Sequence, residues 1–446
     1  MKTYLTIIFL GVATMGFGQF NLNFYQMQGA TPQNTNYNPA VFPKAKSFVS
    51  LPGISGIDLS VNNSFGMMDV LTETGDSTLI DINRFLLNQK EGAYFNAMAN
   101  ITDLMVGFRT GENGFVTLFV NERIDATYFY PLKLVSFIWN GNADYVGKNY
   151  NIDDVSYDFS HYREMGVGYG RSFELFGFNT NLGVRLKLLN GMLHGSIKDN
   201  LNMSIYTNED DYSVEVNMQS GLSRTAGLDA LDQEDFAYFG FNGNTGFGID
   251  LGGQMDLTDR ITVGISAVDL GFIKWKDYSE TASFDGTSFS ISGSSFDNMD
   301  QLADAIADSI ESLAIDTVAA SFTTTLNSKL YLSGSYRLTE NGYAHATLAN
   351  YFTQGKMKSA FGVGYTQNLG NWLAASATFS AASQQGVDMG LGLMLRGGFF
   401  QTYVSVDHLF GTMNIPEARG LNMKFGINFL FGNPSKVKVK STSSED

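Results

Sequence analysis

The sequence predicts an all-β chain, a transmembrane antiparallel β-barrel of about 14 strands (range roughly 12–16), with an N-terminal lumenal segment and one short helix in an outer loop. Three observations predict it. The last apolar stretch alternates: Leu421, Met423, Phe425, Ile427, Phe429 and Phe431 are separated by Asn422, Lys424, Gly426, Asn428 and Leu430. A strand turns its side chains to opposite faces with period two, so one face there is apolar throughout. That stretch is about the 9–11 residues a tilted strand needs to cross a bilayer, and the same pattern recurs through most of the chain. Tight turns alternate with long connections, as inner turns and outer loops do in this class.

Taken in order, residues 1–18 read as a secretory signal. Lys2 opens it, Thr6 to Val12 is a short apolar run, and Gly16-Phe17-Gly18 offers small residues before a mature start at Gln19. Residues 19–46 are polar and aperiodic, with Pro32, Pro39 and Pro43, a segment that either hangs in the periplasm or folds into the lumen as a plug. Residues 47–432 form the barrel, with residues 47–66 leaving the strand number open.

Within it, Leu182, Val184, Leu186 and Leu188 oppose Gly183, Arg185 and Lys187. Phe247, Ile249, Leu251, Met255 and Leu257 lead through Thr258-Asp259-Arg260 to Ile261, Val263 and Ile265. Leu330, Leu332, Tyr336 and Leu338 oppose Lys329, Tyr331 and Arg337, and Asn341-Gly342 is a hairpin signal. Phe361, Val363 and Tyr365 precede a turn at 368–371. Val387 to Leu395 precede Gly397-Gly398, and Phe400 to Val406 follow. With the closing strand ending in the periplasm, the turns at 110–113, 207–210, 258–260, 339–342, 368–371 and 397–398 fall on that side. The connections at 124–160, 220–243, 276–327 and 411–419 fall outside.

Met299 to Ile315 changes period: Leu302, Ile306, Ile310 and Leu313 have helical spacing, so this is the outer-loop helix. Its acidic face lacks the glycine-turned loop of a calcium site and reads as solvated. Residues 433–446, polar and Lys-rich and then acidic, read as a disordered periplasmic tail.

Composition agrees. There is no cysteine, which in an exported chain suits a Gram-negative envelope, and the reading places the protein in the outer membrane. A mean hydropathy of -0.06 is what cancelling lipid-facing and lumen-facing residues produce. The net charge of -16 argues against nucleic acid. His161, His194, His345 and His408 lack metal-ligand spacing, no serine sits in a nucleophile elbow, and Gly166, Gly168 and Gly170 alternate in a strand rather than opening a helix. No catalytic, metal or cofactor site is therefore expected, and the chain reads as non-enzymatic. The inward parity collects Arg185, Lys187, Asp250, Lys329, Arg337, Asp388, Arg396, Asp407 and Lys424 as lumen-facing candidates. Both signs are present, which favours an internal ion-pair network over a selectivity filter. Amides and carbonyls of the plug are expected to satisfy the surplus of positive charge.

Two stretches resemble a known group. Asn38-Pro39-Ala40 followed by Ser47 to Pro52, and Phe247-Gly248-Ile249-Asp250-Leu251-Gly252 with Ile261 to Asp269-Leu270-Gly271-Phe272-Ile273-Lys274-Trp275, are similar to the FadL/PorV-like outer-membrane proteins of Bacteroidota, in an uncharacterised branch. The resemblance implies roughly fourteen strands and an N-terminal segment inside the lumen, with Asn38, Pro39 and Ala40 as its plug motif. FadL members move hydrophobic compounds; PorV members bind protein in a secretion system. Two functions follow: passive uptake of a hydrophobic or small solute, or a PorV-like accessory role in a secretion or cell-surface machine. The expected partners are outer-membrane lipid, the barrel assembly machinery, and a lipophilic solute or a secretion-system protein. An apolar tunnel reaching the wall favours the first function. A sealed lumen with an apolar patch on the outer loops favours the second.

Overall fold

In the computed structural model the described residues are 20–74, 77–88, 93–291, 317–353, 356–382, 386–409 and 419–432. The expected signal at 1–18, the helix over 299–315 and the tail at 433–446 lie outside them.

The chain begins with helix α1 (Leu22–Gln26) and a 3-10 turn (Pro32–Asn36), both buried. Strands β1 (Ser47–Ser50) and β2 (Ile57–Asn63) follow. Next come a small hairpin of β3 (Leu71–Thr74) and β4 (Ser77–Ile80) and helix α2 (Ile82–Asn88). β5 (Ala93–Thr110) and β6 (Gly114–Tyr130) lead to helix α3 (Leu132–Asn140). β7 (Asn149–Leu175), β8 (Phe178–Thr207) and β9 (Val214–Ala226) precede helix α4 (Leu228–Asp232). β10 (Thr245–Asp256), β11 (Ile261–Trp275), β12 (Ser279–Ser283) and β13 (Ser288–Ile291) come next. β14 (Thr317–Ala319), β15 (Phe322–Thr325), β16 (Ser328–Arg337), β17 (Gly342–Thr353) and β18 (Lys356–Leu369) continue. β19 (Leu373–Ala382), β20 (Gly386–Gly397), β21 (Phe400–Val406) and β22 (Gly420–Phe431) complete the chain.

The strands close into a barrel. β22 pairs antiparallel with both β1 and β2, and each of these also pairs with β5, so the two short strands are one broken stave. β9 and β10 share β8 as neighbour and form a second broken stave. β11–β12–β13 and β14–β15–β16 are two further composite staves. Followed neighbour to neighbour, the ladders make a ring of fourteen staves. Among the described residues the last strand closes on the first, which spares the sheet the open edge a bilayer does not tolerate.

The face assignment holds. Met423, Phe431, Leu391, Leu393, Leu395, Leu332, Leu186, Leu188, Phe247, Ile265, Phe361 and Val363 are exposed on the outer surface, while Asn422, Lys424, Asn428 and Gly392 are buried within. A closed barrel carrying an outward apolar belt sits in the outer membrane, with lipid around it.

One turn assignment is corrected. The 207–214 connection joins β8 to β9 at the outer end, not the periplasmic one; the inner turn of that hairpin is Phe176-Gly177. Leu175 pairs with Phe178, and both central residues have positive φ (53° and 80°), the two-residue turn that twists with its strands. Phenylalanine at its first position hides the signal. The stretch at 220–243 does not reverse the chain either: β9 and β10 run in the same direction, and residues 227–244 bulge out between them. The 124–160 connection shrinks to 131–148, because β6 and β7 continue beyond the bilayer, where no apolar face marks a strand.

The N-terminal segment lies inside the barrel. α1 packs against β17 to β21, and Phe20, Leu22, Phe24, Tyr25, Met27 and Tyr37 join Tyr331, Tyr351, Met394 and Tyr403 in one apolar cluster.

Candidate functional site: a plugged lumen and a broken wall

The plug motif rests on wall glycines. A Cβ on Gly183 would lie 2.2 Å from the Pro39 carbonyl oxygen, and one on Gly252 would lie 2.2 Å from Asn38 Oδ1 and 2.9 Å from the Ala40 nitrogen. Only glycine leaves room for that turn. Asn38 Oδ1 accepts the Ala40 N–H at 3.0 Å, closing the turn locally, and Ser266 Oγ donates to the Tyr37 carbonyl at 2.7 Å. Higher up, Asn23 Oδ1 accepts from Ser376 and Ser405, and Gln33 and Asn428 exchange amide hydrogen bonds. Plug and wall interlock through side chains on both.

Of the nine lumen-facing candidates, Arg185, Lys187, Asp250, Lys329, Asp407 and Lys424 are buried inside. Lys187 Nζ is 2.8 Å from Asp250 Oδ1, 2.6 Å from Asp269 Oδ1 and 3.4 Å from Glu164 Oε2. Arg185 Nη1 is 3.2 Å from Asp250 Oδ2, and its guanidinium lies over the Phe119 ring. Arg123 bridges Glu164 and Asp269, each at 3.3 Å. Lys424 pairs with Asp58 at 2.7 Å, between the Tyr37 and Phe24 rings. Asp407 accepts the Asn23 N–H at 2.7 Å. Lys329 stands over the Tyr351 ring, with its ammonium 3.6 Å from the Met98 sulfur.

The remaining three sit at the ends. Asp388 meets His408 at 3.0 Å at the outer end. Arg396 donates to the Lys44 carbonyl at 3.3 Å, and Arg337 is exposed, both at the periplasmic rim.

The wall cations are therefore neutralised chiefly by wall carboxylates. The plug's part is smaller than expected: Tyr37 and Asn21 donate to Asp58, at 2.9 and 3.3 Å. Glu164 was legible, since it shares the parity of Gly166, Gly168 and Gly170. Asp269 was not, because a β-bulge lies there. Ile249 pairs with Leu270 but Leu251 with Ala267, so Val268 and Asp269 together face Asp250. Asp269 has φ 62°, and its N–H donates to Asp250 at 2.7 Å. The bulge turns both residues inward, and the Asp-Leu-Gly stretch is its sequence trace.

Above this network the wall is broken. β8 pairs with β10 up to Asn190 and with β9 from His194 onward, so Gly191 to Leu193 face the 227–244 insertion instead of a strand. Asn244 and Asn242 close the gap. The Gly191 N–H donates to the Asn244 carbonyl at 2.7 Å, and Asn242 Nδ2 donates to the Gly191 carbonyl at 2.8 Å. Asn244 Oδ1 accepts the Lys276 and Asp277 N–H groups at 2.6 and 2.8 Å. Tyr238 donates to the Met192 carbonyl at 2.8 Å.

Inside the gap lies an apolar cluster of Tyr162, Leu189, Ile273, Trp275 and Phe322. Trp275 packs flat on Gly191, where a Cβ would come within 2.4 Å of its ring, and donates to Thr324 Oγ1 at 2.9 Å. Outside the gap a cavity of about 480 Å³ is lined by Tyr238, Phe241, Asn242 and Tyr278 with Asp235 and Asp277. Phe236 and Phe241 project from the insertion, 77% and 68% exposed.

The structure also shows a serine–histidine contact that the sequence did not. His194 lies 2.9 Å from both Ser160 Oγ and Ser196 Oγ. It is wholly buried between Trp275 and Phe322, which suits a wall support better than a general base. Among the described residues no three His, Cys, Asp or Glu side chains are placed to hold a metal ion.

Among solved structures, the chain is similar to the Ralstonia pickettii toluene transporter TbuX, at 10% identity over 94% of this chain and 99% of that one, with a TM-score of 0.42. It is similar to the P. putida toluene transporter TodX, at 10% identity over 94% and 100%, with a TM-score of 0.43. It is also similar to the translocator domain of the autotransporter NalP from Neisseria meningitidis, at 10% identity over 87% and 89%, with a TM-score of 0.31. No curated protein matches the sequence. The match over residues 39–407 spans most of the chain, which belongs to DUF5723, a family of unknown function.

Proposed function

We propose that this protein is a passive, non-enzymatic conduit for a hydrophobic or small solute, which passes from the outer mouth through the broken wall between β8 and β11. The observation that carries this reading is the gap itself. It is the place where strand pairing is replaced by side-chain hydrogen bonds, and it has apolar side chains within and a cavity outside. The axial route is filled by the plug and the ion pairs. An apolar solute crossing there would have to part the buried ion pairs, at a cost of about 3–5 kcal/mol for each charge left without its partner. The side route meets Trp275, Tyr238 and the amides of Asn242 and Asn244, with carboxylates (Asp235, Asp277) only at its outer cavity.

Uptake of the lipophilic dye N-phenylnaphthylamine into proteoliposomes tests this. The intact protein should accelerate entry over protein-free vesicles, and Trp275→Ala should accelerate it further while conductance to ions stays low. Entry no faster than through lipid alone, in both proteins, refutes the conduit.

One observation favours the accessory role. Leu79, Ile80, Leu87, Ile138 and Trp139, on β4, α2 and α3 at the outer end, are exposed. A docking partner there would predict that Leu87→Glu with Trp139→Glu abolishes surface-protein export and leaves dye entry unchanged.

A further inference from the structure

The periplasmic end of the barrel holds a second cavity, separate from the wall gap. It has a volume of about 700 Å³ and lies between the underside of the plug and the inner rim. We propose that it binds an uncharged oligosaccharide.

The lining carries the argument. It is dominated by carboxamides and hydroxyls: the plug contributes Gln26 and Gln28, and the rim contributes asparagines such as Asn113, Asn181 and Asn368. Such groups both donate and accept, which is what a ring of sugar hydroxyls requires. The charges are mixed, Lys44 and Arg109 with Glu112, Glu174 and Asp256, which gives no strong bias toward an ion of either sign. The apolar lining is Val41 with the rings of Phe42 and Phe173, fewer side chains than the carboxamides and hydroxyls.

Two features give it direction. His345 is 8% exposed; its Nδ1 meets Ser335 Oγ at 2.8 Å, while its Nε2 is buried without a hydrogen-bond partner. A buried polar atom left unpaired costs about 1–3 kcal/mol, which a ligand hydroxyl would recover. Beside it Tyr343, also in the lining, lies nearly parallel, at 24° and 6.4 Å between ring centres. Gln28 is half-buried and already bonded to Gln254 at 3.1 Å, so a bound sugar would touch plug and wall at once. The cavity opens on the side of the short turns, which is the periplasm. Its ligand is thus a periplasmic glycan rather than the solute of the wall gap.

Calorimetric titration of the full-length protein in a detergent without a sugar headgroup tests this, with N,N′,N″-triacetylchitotriose as the probe and the neutral peptide Asn-Gly-Ser-Asn as the rival ligand. The trisaccharide should bind at micromolar to millimolar concentration. Its dissociation constant should rise about tenfold in Gln28→Ala and in His345→Ala, as expected when one or two hydrogen bonds are lost. Heat-modifiable migration certifies that each variant is folded; should His345→Ala not fold, the plug variant decides. Absence of trisaccharide binding, binding of the peptide alone, or an unchanged affinity in folded Gln28→Ala overturns the proposal.

Discussion

Gly252→Val should loosen the plug without opening the wall. The wall residue pairs through its backbone with Gly183 and Ser266, and those ladders do not need a missing side chain. The plug does. A Cβ at this position would lie 2.2 Å from Asn38 Oδ1, and an ordinary contact begins near 3.4 Å, so the turn must retreat by the difference, 1.2 Å. That retreat breaks the 2.7 Å hydrogen bond from Ser266 to the Tyr37 carbonyl, worth about 1 kcal/mol. Overpacking at a filled site adds about 1–3 kcal/mol. The sum, roughly 2–4 kcal/mol, falls on docking of the plug and should raise its undocked population by about 30-fold to 700-fold, at tenfold for every 1.4 kcal/mol. The chain has no cysteine, so Thr35→Cys, at a site 3% exposed inside the lumen, is a unique reporter. Its maleimide labelling rate should rise by that factor in the Gly252→Val background, with heat-modifiable migration unchanged. An equal labelling rate in both backgrounds, in folded protein, refutes the anchoring of the plug on this glycine.

Three further outcomes are expected. Arginine at Leu393, on the lipid face, should cost about 2–4 kcal/mol in folding titrations, and at Phe431, near the interface, less. Arginine at Gly392 should cost at least as much as at Leu393, since a Cβ there already meets Asn23 Oδ1 at 2.4 Å and Met27 Sδ at 2.5 Å; a mild effect would mean the plug is not seated. Lys424→Met should destabilise by about 3 kcal/mol by stranding Asp58, and adding Asp58→Asn should restore most of it in urea titrations. If the double variant is no better than the single, the pair is not coupled. Truncation before Leu421 should leave no heat-modifiable barrel, because β22 closes the ring against β1, β2 and β21, whereas truncation after Gly432 should be tolerated.

The sequence by itself determined the barrel and its lipid face. Period-two alternation is local, and apolar residues such as Leu393 and Phe361 have nowhere to go but lipid, so neither reading depended on knowing which strands are neighbours. The resemblance that named Asn38-Pro39-Ala40 pointed to the residues that fill the lumen, and the inward parity found Lys187, Asp250 and Lys424. Only the tertiary structure decided the rest. Asp269 enters the lumen because a bulge shifts parity by one residue, which no alternation reveals. Residues 227–244 look like an outer loop because they are irregular, with no period-two alternation. They prove to be a plug in the wall, since β9 and β10 continue one stave across them. Charge balance was likewise beyond the sequence: whether Arg185 meets Asp250 or a plug carbonyl depends on which strands lie side by side, and strand adjacency is set by closure of the ring rather than by any single segment.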